Sequence, residues 1–195
     1  MNQWLKKGLL SLLIIVMAGV GWYFLYWQNT PAYAAGEIQQ AVQKKDWDLF
    51  QKRVDMEKVY TYALDDILAA LNADGKPEDK LAASLIKSIK KEVVKELVRQ
   101  TEIQFQSKAP TSRSLLDKPV KTLTAYVGSS YLSLTDIFQV KEENGKAMAY
   151  VNLHDNKLNK DFTWQVQLEK DVNGNWTATR IVNLREYLEE RKDTL

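Results

Sequence analysis

Cysteine is absent from this 195-residue chain, and histidine occurs only once, at position 154. The lack of cysteine excludes disulfides, zinc–thiolate sites and thiol nucleophiles. Asp155 follows His154, and a histidine beside a carboxylate can perform acid–base chemistry. Adjacent residues of a strand point to opposite faces, however, so the pattern favours an ordinary surface histidine. We therefore expect no catalytic residue, no metal site and no cofactor.

Acidic residues are missing from the first 27 positions, and the segment from Gly8 to Trp27 carries no charge at all. A helix of about 20 apolar residues crosses a hydrocarbon core about 30 Å thick. Aromatic rings, which favour the headgroup interface, gather at the end of this segment: Trp22, Tyr23, Phe24, Tyr26 and Trp27. Residues 8–27 are therefore predicted to form a single-pass transmembrane helix, with the lipid bilayer as their partner.

The orientation of this helix follows from its flanking charges. Lys6 and Lys7 precede it, and the next basic residue is Lys44. Positive charge stays in the cytoplasm, so residues 1–7 are predicted to be a cytoplasmic tail. Residues 28–195 are then an extracytoplasmic domain on the outer side of the cytoplasmic (inner) membrane.

A cleaved signal peptide is the alternative, because Ala32-Tyr33-Ala34 resembles an A-x-A cleavage site. The apolar run is longer than the roughly 7–15 residues of a signal-peptide core, which favours retention. If the helix is retained, residues 28–33 form a connector of about six residues, which would hold the domain close to the bilayer.

Neither sign of charge is in surplus beyond position 27, where 25 basic residues face 25 acidic ones. Nucleic-acid-binding proteins usually carry a basic surplus, so we expect no nucleic acid among the partners. One predicted helix face is basic nevertheless, and its residues are candidates for contact with anionic lipid headgroups: Lys87, Lys91, Lys95 and Arg99. Glu92 and Glu96 interrupt this stripe, so a solvated helix face with local ion pairs is the alternative.

Apolar residues recur at helical spacing through the first half of the domain. The predicted elements are a helix from Ala34, a short helix capped by Asp46, a helix capped by Asp55 that ends at Asp74-Gly75-Lys76-Pro77, one long helix from about Glu78 to Gln104, and a loop over residues 107–119. The second half alternates apolar and polar residues with a period of two, which is typical of strands with one buried face.

The predicted strands are Thr135–Lys141, Ala147–His154, a strand around Phe162–Leu168, and Trp176–Asn183, followed by a short helix over Leu184–Arg191. Asn144-Gly145 and Asn173-Gly174 supply the residues that tight hairpin turns require. The fold class is therefore α+β: a transmembrane helix, then several helices packed on a four-stranded antiparallel meander with a short C-terminal helix.

Two segments resemble known families. The stretch AAGEIQQAVQKKDWDLFQKRVD (Ala34–Asp55), behind an apolar anchor and Thr30-Pro31-Ala32-Tyr33, resembles a family of bacterial membrane-anchored proteins described only as a domain of unknown function. The ending NGNW…RIVNLREYL (Asn173–Leu188) is similar to the last strand and terminal turn of the nuclear-transport-factor-2-like cone fold, which ketosteroid isomerases and polyketide cyclases share. Neither resemblance supplies catalytic residues that match positions of this chain.

Aromatic and aliphatic residues of the strands are candidates for the lining of an apolar pocket: Phe138, Tyr150, Phe162, Trp164 and Val166. The alternative is that they form plain core. The sequence favours a non-enzymatic binding or interaction module of the cell envelope, with an envelope protein or lipid as partner. A carrier or sensor of a small apolar ligand is the second hypothesis, and an isomerase- or hydrolase-like enzyme of the cone fold is the third.

Overall fold

The computed structural model describes residues 3–73, 77–106, 116–127 and 131–194 and confirms the α+β class. Its helices are α1 (Gln3–Gln28), α2 (Pro31–Lys44), α3 (Trp47–Arg53), α4 (Met56–Ala73), α5 (Pro77–Ser88), α6 (Lys90–Phe105), α7 (Asp117–Val127) and α8 (Leu184–Thr194). Its strands are β1 (Leu132–Glu143), β2 (Lys146–Asp155), β3 (Lys160–Lys170) and β4 (Trp176–Ile181).

Helix α1 is long and apolar enough to cross a membrane, judged by length and composition. None of its apolar window Ser11–Gln28 is buried inside the protein. Leu12, Ile15 and Met17 remain 60%, 68% and 68% exposed, so α1 is not a core helix of the domain. A helix of this kind is compatible with a membrane anchor or with a signal sequence.

The connector between α1 and the domain is shorter than predicted. Helix α2 begins at Pro31 rather than at Ala34, so only Asn29 and Thr30 separate the two helices. The Thr30 hydroxyl accepts a hydrogen bond from the Tyr33 N–H at 3.2 Å, and Pro31 occupies the first helical turn. A threonine cap followed by proline is a strong start signal, because proline has no N–H to leave unpaired.

Both predicted aspartate caps are confirmed. The Asp46 carboxylate accepts from the Leu49 N–H at 3.0 Å at the start of α3, and the Asp55 carboxylate accepts from the Lys58 N–H at 3.1 Å at the start of α4. Each aspartate satisfies an N–H that has no intrahelical partner. The turn predicted after α4 lies over residues 74–76, which are outside the described residues, and Pro77 begins α5.

The single long helix predicted over Glu78–Gln104 is wrong, because the chain breaks into α5 and α6 at Ile89. Ile89 has φ −115° and ψ 22°, and the Ser88 hydroxyl donates to the Leu85 carbonyl at 2.7 Å. Such local side-chain bonds compete with helix propagation. Both helices pack on α4. The change of direction at Ile89 keeps both in contact with α4, whereas one straight helix would extend away from it.

The loop predicted over residues 107–119 is wrong at its C-terminal end, because α7 already begins at Asp117. Residues 107–115 lie outside the described part, and residues 117–119 form the first turn of α7. Pro119 is compatible with that turn, since the first N–H groups of a helix have no intrahelical acceptor. Strand β1 is longer than predicted, and β4 ends at Ile181, two residues early.

The sheet is an antiparallel meander in the order β1-β2-β3-β4. Asn144 and Gly145 between β1 and β2, and Gly174 between β3 and β4, have φ of 53°, 74° and 81°. These positive values explain the asparagine and glycines of the two predicted turns. Strand β1 contains two register shifts, one between Leu134 and Asp136 and one between Ile137 and Gln139.

One face of the sheet, here called the inner face, carries the buried and half-buried apolar residues of the central strands: Ala147, Ala149, Val151 and Leu153 of β2, opposite Leu168, Val166, Trp164 and Phe162 of β3. Helix α2 covers the Ala147 end of this face through Ala34 and Ala35. Helices α4, α6, α7 and α8 cover the Phe162 end. The opposite side of the sheet is here called the outer face.

A buried ion pair fastens the last helix to the sheet. Arg191 of α8 donates to the Asp155 carboxylate at 3.0 Å, and the two side chains are only 5% and 0% exposed. Burial alone would raise the pKa of Asp155. The N–H groups of Leu158 and Lys157 and the Arg191 guanidinium outweigh burial and lower that pKa, so the carboxylate stays charged at neutral pH.

We predict that Arg191→Met destabilises the domain by about 3–5 kcal/mol, because it leaves a buried carboxylate without its cation. The matched control is Arg185→Met on the same helix, whose exposed pair with Glu189 contributes at most about 0.5 kcal/mol. Denaturant unfolding at pH 7 measures both free energies of unfolding. Equal effects of the two substitutions would contradict the assigned role of the Asp155–Arg191 pair.

Candidate functional site

The junction between α1 and the domain is the first candidate site. The Trp176 indole N–H at the start of β4 donates to the Asn29 carbonyl, directly after α1, at 3.0 Å. Trp176 is 2% exposed, and the Lys170 ammonium lies 5.2 Å from its ring centroid. A buried indole N–H needs an acceptor, so this bond ties the end of the apolar helix to the sheet.

A buried arginine reinforces the same junction. Arg53, 6% exposed, forms an ion pair with Glu37 of α2 and donates to the Trp176 carbonyl at 3.4 Å. Its guanidinium also lies 5.9 Å from the Tyr33 ring centroid. The negative charge of Glu37, helped by burial, raises the pKa of the Tyr33 hydroxyl. Arg53 thus links α3 to α2 and to β4, at the same tryptophan that bonds to Asn29.

The A-x-A motif of the signal-peptide hypothesis lies inside this junction. Ala34 and Ala35 are 0% and 2% exposed and belong to the core between α2 and the sheet. A cut after Ala34 would remove Asn29, the Thr30 cap and the buried Pro31. Cleavage would therefore disrupt contacts that the folded domain makes.

An exposed aromatic group on the outer face is the second candidate site. We call it the outer aromatic patch and define it as Phe138, Lys141, Met148 and Tyr150. The Phe138 and Tyr150 ring centroids are 6.0 Å apart, and the Lys141 ammonium lies 5.5 Å from the Tyr150 centroid. Phe138 is 52% exposed. It sits at the second register shift of β1, and such a bulge re-aims a side chain.

The five residues predicted to line one pocket do not share a face. Phe162 and Trp164 lie on the inner face, with their ring centroids 5.0 and 5.5 Å from that of Tyr187 in α8. Val166 packs beside the core under α2. Phe138 and Tyr150 lie on the outer face instead. Tyr150 alternates with the buried Ala149 and Val151 of β2, so ordinary alternation already places it there. Phe138 faces outward because the bulge in β1 changes the alternation of that strand.

The Tyr187 hydroxyl holds this inner packing in place. It donates to the Val127 carbonyl at the end of α7 at 2.8 Å. Burial raises the pKa of Tyr187 to about 12, so the group remains a neutral donor. Phe162 and Trp164 thus pack against a tyrosine whose hydroxyl is hydrogen-bonded.

The basic stripe is divided between two helices. Lys87 belongs to α5, whereas Lys91, Lys95 and Arg99 belong to α6. The three lysines are exposed, and Arg99 pairs with Glu96. Helix α6 runs antiparallel to α4, since Lys90 pairs with Asp65 and Thr101 with Tyr60.

Helix α4 starts beside β4, where the Asp55 N–H donates to the Ala178 carbonyl, so the Lys87 end of the stripe is remote from Asn29. Contact of the whole stripe with lipid headgroups stays a prediction, and this placement favours it only for the Arg99 end.

His154 pairs with Asp161 across the β2–β3 ladder, with 2.7 Å between the Nδ1 and carboxylate atoms, and its side chain is 34% exposed. Asp155 points to the other face, as the alternation in the sequence predicts. Within the part of the chain that the structure describes, no group of three metal-ligating side chains could hold an ion.

Comparison of the chain with protein-family models, with curated proteins and with solved structures gives no match. The two family resemblances therefore stay predictions.

We predict that Trp176→Phe loosens the junction without unfolding the domain. The substitution keeps an aromatic ring but removes the bond to Asn29, a loss of about 1 kcal/mol. Spin labels at Tyr26→Cys in α1 and Lys157→Cys in the β2–β3 turn should show a broader distance distribution in this variant than in the parent. Trp47→Phe, a half-buried tryptophan outside the junction, is the control. Identical distributions for the two variants would contradict the role of Trp176.

Proposed function

We propose that this protein is a non-enzymatic binding module that α1 retains in the cytoplasmic membrane. Its α+β domain is held at a fixed distance from the bilayer, on the outer side. The observation that carries this proposal is the two-residue connector, tied to β4 by the Trp176–Asn29 bond. An enzyme acting on diffusing substrates needs no such restraint. A module that meets a partner at a set distance from the bilayer benefits from it, because restraint before binding lowers the entropy lost on binding.

The retention of α1 has two supports. Its apolar surface is exposed along the whole candidate span, and in water that surface would be unfavourable. The Asn29 and Pro31 contacts within the domain also require the residues that cleavage would remove. The orientation follows from Lys6 and Lys7 before the helix, as positive charge is retained in the cytoplasm.

The outer aromatic patch is the surface we propose for binding. Aromatic rings and methionine are enriched at the centres of protein interfaces, and polar residues usually surround them. Gln139 lies exposed beside the patch, and Gln165 and Gln167 face it across the strands. This composition favours an envelope protein as the partner over a small apolar ligand, for which a concave apolar lining is typical.

We predict that the domain is accessible only from outside the cell membrane. The chain has no cysteine, so Lys157→Cys in the exposed β2–β3 turn is a clean reporter. A membrane-impermeant maleimide should label it in intact spheroplasts and should fail to label it in sealed inverted vesicles. Labelling with the reverse preference would place the domain in the cytoplasm and contradict the proposed orientation.

We predict that a photo-crosslinker at Gln139 captures a discrete partner in intact cells. Phe138→Ser should abolish the adduct, since loss of a central aromatic contact costs about 2 kcal/mol or more of binding free energy. Tyr131→Ser is the matched control: Tyr131 is 43% exposed and also carries a lysine over its ring, with Lys157 at 5.7 Å, but it lies at the other end of β1. An adduct that survives Phe138→Ser, or none at all, would count against the patch.

A further inference from the structure

The turn between β3 and β4 carries the most exposed of the large hydrophobic side chains in the described residues. Val172 is 100% exposed. Elsewhere in the domain a solitary exposed valine needs no explanation. This one lies four residues before Trp176, the residue that bonds to the end of α1, so the turn is next to the junction.

The turn is built around a single carboxylate. Oδ1 of Asp171 accepts from the N–H groups of Asn173 and Asn175, both at 2.8 Å, and Oδ2 accepts from the Asn175 side chain at 3.3 Å. The Asp171 N–H donates to the Asn175 carbonyl at 2.8 Å, and the Gly174 N–H donates to the Asp171 carbonyl at 3.0 Å. Gly174, with φ +81°, adopts a conformation that other residues rarely take.

These bonds have two consequences for the tip. The backbone on either side of Val172 is fixed, so the side chain is held outward instead of folding back onto the domain. The Asp171 carboxylate is directed into the turn, where the N–H groups of Asn173 and Asn175 bind it, so its hydrogen-bonding oxygens do not point beyond the tip.

The distance between the tip and the Trp176 backbone has an upper bound set by the length of chain between them. Four extended residues span at most about 13 Å, so Val172 lies within that distance of the Trp176 backbone. The apolar window of α1 ends at Gln28, next to the Asn29 carbonyl that Trp176 contacts. The exposed rings of Trp22, Tyr23 and Tyr26 mark the interfacial level of α1 within two turns of that carbonyl.

We propose that the β3–β4 turn is a second membrane contact, in which Val172 rests among the lipid headgroups beside the exit of α1. This inference depends on the proposed membrane anchoring. A lipid surface fits the tip better than a protein, because a stable protein interface buries about 800 Å² on each partner and one valine on a narrow turn offers far less. The contact is apolar, and the neighbouring Lys146 is already paired with Glu169 at 2.9 Å, so it does not require anionic lipid.

Two contacts would constrain the domain more than one. A single helix lets the domain swivel about the membrane normal and tilt. A second contact at the turn restricts the tilt and fixes which edge of the sheet faces the bilayer. The outer aromatic patch would then be presented in one orientation.

The test uses the full chain reconstituted in nanodiscs of zwitterionic lipid, with an environment-sensitive fluorophore on one introduced cysteine. Three sites are compared: Val172→Cys at the tip, Lys157→Cys in the turn at the opposite end of the sheet, and Ile15→Cys in α1. Emission maxima and quenching by spin-labelled lipids are measured for each. We expect the label at 172 to be blue-shifted and quenched by spin labels near the headgroups, and the label at 157 to be neither.

Each other outcome overturns the inference in a different way. If the label at 15 is quenched but those at 172 and 157 are alike, α1 is anchored and the second contact does not exist. If the label at 15 is unquenched, the membrane anchoring itself fails, and the inference fails with it. The same labels are also measured in native membrane vesicles. If the emission of the label at 172 is blue-shifted there but not in nanodiscs, the tip binds a protein and not lipid.

Discussion

The short path from α1 through Asn29 to Trp176 constrains the rest of the molecule. With two residues between helices, there is no flexible linker to separate the apolar helix from the domain. The Trp176 bond to Asn29, the Arg53 bond to the Trp176 carbonyl and the Arg53–Glu37 ion pair link three elements of the domain to the same point. Buried polar groups of this kind are stable only as a complete set, because each one left unpaired costs free energy.

The junction also determines which face of the sheet the helices cover. Helix α2 continues directly from the connector and packs its alanines on one end of the inner face, where small side chains let a helix approach closely. The other helices cover the remaining end around Phe162 and Tyr187. Among the described elements, none packs on the middle of the outer face, which leaves Phe138 and Tyr150 to solvent or to a partner. The proposed function depends on this asymmetry between the two faces.

Much of the fold follows from local signals that the sequence displays. The caps at Asp46 and Asp55, the glycine turns and the alternation in β3 each act over a few residues, so they can be read without the tertiary structure. The break at Ile89 could not be predicted, because no glycine or proline marks it and the packing on α4 decides it. The bulge at Phe138 was missed for a related reason: a register shift moves a side chain to the other face without changing the composition.

The junction itself lies beyond the reach of such signals. Asn29 and Trp176 are 147 residues apart in the sequence, and nothing local pairs them. Two clues were present, namely Thr30-Pro31 as the start of a helix and Arg53 at helical spacing from the apolar Leu49 and Phe50. The first would have shown that the connector is short. The second becomes informative only when the acceptors of the guanidinium are known.

The most direct measurement is the intact mass of the native protein recovered from both the membrane and the soluble fractions of its own cells. We expect the mass of the chain with residues 8–27 still present, since these residues form the proposed anchor and lead directly to Asn29. A mature polypeptide that begins near Ala35 and appears in the soluble fraction would contradict it, because neither the anchor nor the Asn29 acceptor of Trp176 would then exist.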